Sequence, residues 1–203
     1  MSITTDGRRE AGERTRQRLI DATRDLLAER GEGEVSLRAI TEAAGANVAA
    51  VSYHFGSKET LVREAIEESV ERLVKDQLDG LRALDDPTLE EIAAAWTKPV
   101  INAVAASPCR EHIFMRVVGR TLSTCTDERR EQVSAQSAEA EDELVAALAR
   151  VFPDRDEAEL RFRAGAMVYV LNFVTTGNAG LDGAPAGEIE RLLLPVVTGA
   201  LAG

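Results

Sequence analysis

Residues 47–59 read "NVAAVSYHFGSKE", from Asn47 to Glu59. A run of small residues ends in three rings, Tyr53, His54 and Phe55, and breaks at Gly56-Ser57 before Lys58. An ordinary core helix carries its aromatics deeper in an apolar run, so this segment is built to be reached from outside. Asn47 is a natural N-cap for a short helix ending near His54. Ser36 plays the same part for residues 37–44, which stop at Gly45, and Ser57 opens a long amphipathic helix over 58–84. Two short helices joined by Gly45-Ala46-Asn47 predict a helix-turn-helix.

Helical periodicity assigns the faces. Leu37, Ile40 and Ala44 on the first helix, with Val51 and Phe55 on the second, point inward. They pack on Leu19, Leu26 and Leu27 of a helix over 10–30 that stops at the C-capping Gly31. Val48, Ala49 and Ser52 remain outward, small enough for the backbone to enter a DNA major groove closely. Tyr53 and His54 follow at the rim, where a hydroxyl and an imidazole reach phosphates. Lys58 falls in the first turn of the next helix, where the dipole disfavours a cation and a nearby phosphate compensates. Arg38, near the start of the first short helix, is placed to read a guanine or bind backbone. Taken singly, these residues have plainer readings, the aromatics as core and Lys58 as a solvated charge. The combination favours DNA.

Overall charge argues the other way until it is resolved along the chain. The 203 residues carry 35 acidic and 24 basic side chains, a net charge of -11, which is unsuited to a nucleic-acid partner. Residues 1–58, however, hold nine of each, so the acidity belongs to the remainder. Between Arg8 and Arg18 five arginines meet two glutamates, a basic arm in front of the helix-turn-helix.

The rest reads as helix: 88–106, 109–124, 128–151, 156–176 and 187–201. The breakers are Ser107-Pro108, Asp127, Phe152-Pro153 and the loop "GNAGLDGAPAG". Pro195 is expected to kink the last helix or end it early. With no β-rich run, the fold class is all-α, a head over 1–57 and a body over 58–203. Cys109 and Cys125, if on one helix, stand about 24 Å apart along its axis, too far for a disulfide. With His112 they lack metal-ligand spacing. The start "MSITTDGRRE" has no apolar signal core, and the uncharged stretch Ala164–Leu181 has about half the apolar length a bilayer needs. A cytoplasmic protein without a membrane partner is expected.

Six of the eight aromatics lie in the body: Trp96, Phe114, Phe152, Phe162, Tyr169 and Phe173. With Met115, Met167 and Asn172 they can line an apolar pocket for a small molecule, with His112, Arg116 and Arg120 available to an acidic group. For each of them plain core packing is the commoner fate. Along 160–173, Leu160, Ala164, Met167 and Leu171 form one stripe, and Phe162, Ala166, Tyr169 and Phe173 another on nearly the opposite face. A helix apolar all round must be buried all round. One stripe therefore meets the core and the other a second copy, as a four-helix bundle with the 187–201 helix. Which stripe does which is open.

The stretch "SLRAITEAAGANVAAVSYHFGSKETL" resembles the DNA-binding signature of the tetracycline-repressor (TetR) family of bacterial transcription regulators. The likeness runs from about Leu19 to Leu61 and includes Gly31, Ile40, Ala44-Gly45, Tyr53-His54-Phe55, Lys58 and Leu61. It implies a homodimer that binds a double-stranded, palindromic DNA operator and releases it when the C-terminal domain takes up a small molecule; for this body a mostly apolar effector is expected. No cofactor is implied. Carried over by position, Ser36 and Tyr53 take phosphate roles with His54 and Lys58 beside them, while Arg38, Val48, Ala49 and Ser52 face bases and Asn47 stands at the helix start. Two positions depart from the family: Ser52 stands where tyrosine is frequent, and Glu32 replaces the usual aromatic. Rival classes are weaker. An enzyme lacks any nucleophile motif, phosphate loop or metal box, and a protein-binding scaffold explains the acidic body but not the small-faced helix behind a basic arm. An activator of the same fold stays open.

Overall fold

The computed structural model describes residues 4–30, 35–106, 127–175 and 184–203. Eight helices follow one another there, with no strand among the described residues: α1 (Thr4–Arg30), α2 (Leu37–Ala43), α3 (Val48–Phe55), α4 (Lys58–Arg82), α5 (Leu89–Ala106), α6 (Asp127–Val151), α7 (Glu157–Thr175) and α8 (Ala186–Ala202). The all-α expectation holds. Gly31, Glu32, the cysteines and the helix expected over 109–124 lie outside the described residues. Helix α1 starts at Thr4 rather than near residue 10, so the basic arm is itself helical.

Contacts group the chain into two compact units, one ending at Ser69 and one from Val70 to Gly203. The division falls inside α4, so the first turns of that helix pack with the head. There Leu19, Leu26, Leu27, Ile40, Ala44, Val51 and Phe55 are buried, joined by Leu61, Val62, Ala65 and Ile66 of α4. Leu37, expected inward, is only half-buried because it opens the first turn of α2.

The second unit is held by apolar stripes. On α8, Ile189, Leu193, Val197 and Leu201 recur every four residues and are buried against Ile92, Trp96, Val100 and Leu144 of the same core. On α7 the stripe Leu160, Ala164, Met167 and Leu171 is the buried one, whereas Phe162 on the other face is 78% exposed. The first stripe is therefore the one that meets the core. Helix α8 runs through Pro195 to Ala202 instead of ending early. The carbonyl that proline leaves without a helical donor is that of Arg191, on a face where both residues are exposed and water can serve it. The last carbonyls of α8 are capped from α7 and the turn before it: Arg155 donates to Ala202 O at 3.0 Å and Arg163 to Leu201 O at 3.2 Å. Both cations suit the negative end of the helix dipole.

Helix α5 also contains a proline, Pro99, which removes a donor from its own helix. Gln77 of α4, buried at this point, donates to the Trp96 carbonyl at 2.9 Å. A turn later Gly80 lies so near Ala95 that an added Cβ would stand 3.5 Å from its carbonyl oxygen. Two carbonyls beside the proline thus meet α4 directly.

Candidate nucleic-acid interface

Helix α2 opens on Ser36, whose Oγ accepts from Ala39 N–H at 3.1 Å. It closes through a left-handed glycine: Gly45 has φ +57°, its N–H donates to Glu42 O, and Ala46 N–H donates to Thr41 O at 2.9 Å. This paired reversal satisfies carbonyls of the last turn and brings the chain into α3 within four residues, 44–47. Asn47 Oδ1 then accepts from Ala50 N–H at 2.8 Å and starts α3. At its far end Gly56, φ +76°, breaks the helix, and Ser57 Oγ accepts from Thr60 N–H at 3.1 Å to begin α4. In "NVAAVSYHFGSKE", Asn47, Gly56 and Ser57 thus bound one short helix and open the next.

With Val51 and Phe55 buried, α3 turns Val48, Ala49, Ser52 and Tyr53 outward, all of them exposed. Tyr53 is 84% exposed and meets the His54 ring edge-on at 4.9 Å. His54 is half-buried and lies against α1 at Gly12, where an added Cβ would stand 3.8 Å from its Cε1. Ser36 and Asn47 are exposed but their side chains already cap helices, so a further partner meets them at helix N-termini. Arg38 is exposed and forms no ion pair among the described residues. Lys58 opens α4 half-buried. The Glu59 carboxyl beside it is held below the usual carboxylate range, chiefly by its own backbone N–H, then by the Ser57 hydroxyl, and least by Lys58. All nine candidate residues thus sit on the helix-turn-helix or at the start of α4, the small ones Val48, Ala49 and Ser52 exposed on α3.

The basic arm is less free than its composition promised. Arg14 reaches Glu10 at 3.5 Å, Arg18 donates to Thr15, and Arg16 pairs with Glu64 of α4 at 2.6 Å. Farther along, Gln17 donates to Glu68 at 3.1 Å and Arg24 pairs with Asp21 at 2.9 Å. Sequence reading missed the partners on α4, because ion pairs between distant helices leave no mark in local spacing.

Of the candidate effector residues, Trp96 and Met167 are brought into one buried cluster. Phe162 stands outside it, and Phe152 packs at its edge beneath Arg155, whose guanidinium lies 4.5 Å from the ring centroid. His112, Phe114, Met115, Arg116 and Arg120 lie outside the described residues, as do the side chains of Tyr169, Asn172 and Phe173. Among the described residues no group of three or more His, Cys, Asp or Glu is placed to hold a metal ion. No described helix is long and apolar enough to cross a membrane.

Comparison with known proteins places this geometry. Residues 19–65 match the sequence profile of the bacterial regulatory proteins of the tetR family. Residues 94–203, more than half of the chain, match that of the tetracyclin repressor-like C-terminal domain. No curated protein sequence matches. Among solved structures, the chain is similar to the regulator PfmR from Thermus thermophilus, with a TM-score of 0.64 and 21% identity over 89% of this chain and 97% of that one. SCO4454 from Streptomyces coelicolor gives a TM-score of 0.67 at 18% identity, covering 94% and 95%. The fatty acid degradation regulator FadR from Bacillus halodurans gives 0.61 at 16% identity, covering 92% and 96%. At these identities the likeness is one of fold.

Proposed function

Since the chain belongs to the TetR family, it is a DNA-binding transcriptional regulator and not an enzyme, and we propose that it works as an effector-released repressor. As a cytoplasmic homodimer it binds a palindromic operator. The observation that carries the reading is the outward face of α3, where Val48, Ala49 and Ser52 leave room for a groove floor and Tyr53 projects at the rim. In this arrangement Arg38 and the small residues meet base edges. Ser36, Tyr53, His54 and Lys58 meet phosphates, and Asn47 holds the start of the reading helix.

Pairing of two chains is supported by the faces of α7 and α8 that the core does not use. Phe162 on α7 and Leu192 and Val196 on α8 are exposed, with Pro195 and Gly199 beside them. Two copies joined there by a two-fold axis present two reading helices to a palindrome. Release by an effector needs only that the ligand bind one arrangement of the heads better than another. Helix α4 runs from the head into the second unit and is the natural carrier of that preference. The effector is taken to be small and mostly apolar, bordered by Trp96 and Met167, with His112, Phe114, Met115, Arg116, Tyr169, Asn172 and Phe173 as the remaining candidates.

Selection from a random-duplex library is the direct test. The reading expects enrichment of an inverted repeat whose half-sites lie about one helical turn apart or a multiple of it. A protein that enriches nothing, or a single unrepeated half-site, contradicts it. A compound that quenches Trp96 fluorescence is expected to lower affinity for the selected site; quenching with affinity unchanged counts against the coupling.

A further inference from the structure

Arg16 belongs by sequence to the basic arm, yet its guanidinium is already occupied. Nη2 donates to Glu64 Oε2 of α4 at 2.6 Å, and Nη1 approaches Glu13 at 3.7 Å. The two side chains of the α1–α4 pair are 34% and 25% exposed, so the pair is partly withdrawn from water. The guanidinium carbon also lies 5.4 Å from the centroid of Phe55, the last residue of α3. Gly12, one turn earlier on the same face of α1, receives the neighbouring His54 ring. Helix α1 therefore offers the end of the reading helix a gap at position 12 and a cation at position 16.

We propose that Arg16 is a positioning residue and not a phosphate contact: Glu64 and Phe55 hold it between them, and through it the last turn of α3 is fixed to α1 and α4. The inference rests on the DNA-binding reading above and assigns a part within it. A guanidinium whose charge is matched by a carboxylate at hydrogen-bonding distance has little net charge to offer a phosphate, so its loss leaves the counterion release on binding unchanged. Its cation–π contact instead orders the ring that anchors the reading helix. Loosening that anchor harms base readout, which needs a fixed register, more than it harms attraction to the duplex.

The experiment compares the full-length wild type with Arg16→Gln, Glu64→Gln and the double variant, on the selected duplex and on random duplex, across a potassium chloride titration. Arg16→Gln is expected to lower affinity for the selected site by about five- to tenfold, the scale of one cation–π contact and one half-exposed ion pair, with the salt slope unchanged. Glu64→Gln is expected to lower the selected-to-random ratio too, although it removes a negative charge from a protein that binds a polyanion. The double variant should be no worse than Arg16→Gln, because the two residues act as a unit. A salt slope reduced by about one in Arg16→Gln, or a Glu64→Gln protein that binds the selected site more tightly, overturns the proposal and makes Arg16 a phosphate ligand. Equal losses on both duplexes also overturn it, since they report less folded protein. A wild type that does not distinguish the duplexes overturns the DNA-binding reading itself.

Discussion

In the head, α2, α3 and the start of α4 are bounded by Ser36, Gly45, Asn47, Gly56 and Ser57, each acting within a few residues of the helix end it fixes. In the body, α7 and α8 are set by faces: one stripe of each is buried in a common core while Phe162, Leu192 and Val196 point away from it. The first kind of order is local and resists change in its surroundings. The second depends on what covers the face, and α7 shows how, since Met167 is fully buried while Phe162, of similar apolarity, is exposed. A head fixed by its own turns can be carried as a rigid reader, while a body organised by shared faces can respond to a ligand or a second chain.

The largest expected effect separates the two stripes of α7. Leu171→Arg places an unpaired cation in the core and should cost more than about 4 kcal/mol, most of the stability of a domain at the lower end of the ordinary range, so that a large unfolded fraction is expected. Phe162→Arg should keep the full helical circular dichroism signal yet scatter light as a monomer, losing about a hundredfold or more in operator affinity with the second half-site. Identical behaviour of the two variants would erase the distinction between core and partner faces.

A smaller effect belongs to the turn. Gly45→Ala forces a side chain into the left-handed region, at about 1–2 kcal/mol, and chemical denaturation should register it as a shift in midpoint with unchanged slope. An alanine without effect there would mean that the turn is not the rigid element described. Smallest is a local device in the body. Thr88 and Glu91 cap α5 reciprocally, Thr88 N–H donating to Glu91 Oε2 at 2.8 Å and Glu91 N–H to Thr88 Oγ1 at 3.2 Å. These bonds, the Thr88 backbone N–H first and its hydroxyl second, hold the Glu91 carboxyl below its usual range. A depressed folded value stabilises above the ordinary carboxylate range and is lost as pH falls through that depressed value. Thr88→Ala keeps the backbone N–H but loses the hydroxyl's bond to the carboxylate, so it should lower the denaturation midpoint slightly at neutral pH, and its gap from wild type should narrow in acid. A gap that stays constant from neutral pH into strong acid contradicts the charge-assisted cap.

What the sequence disclosed follows the same division. The turn at Gly45, the caps Ser36, Asn47 and Ser57, and the outward set Val48, Ala49 and Ser52 were legible because each signal lies beside its consequence. The start of α1 was not, since its first turns carry no apolar stripe to mark them. Nor was the persistence of α8 through Pro195, which depends on the orphaned carbonyl facing water. The α1–α4 ion pairs join residues nearly fifty positions apart, 48 in the case of Arg16 and Glu64, and no window of local sequence contains both. The aromatics of the body were the least informative, because Trp96, buried, and Phe162, exposed, sit in stretches of similar composition.

If the exposed face of α2 and α3, with the start of α4, is the DNA interface, operator binding by Arg38→Ala and Lys58→Ala across a salt titration will show it. Arg38→Ala is expected to weaken binding and relax preference at one base pair, by about 1–3 kcal/mol for a bidentate contact. Lys58→Ala is predicted to weaken selected and random duplex alike and to flatten the salt slope by roughly one. Two variants that bind as the wild type does at every salt concentration would contradict it.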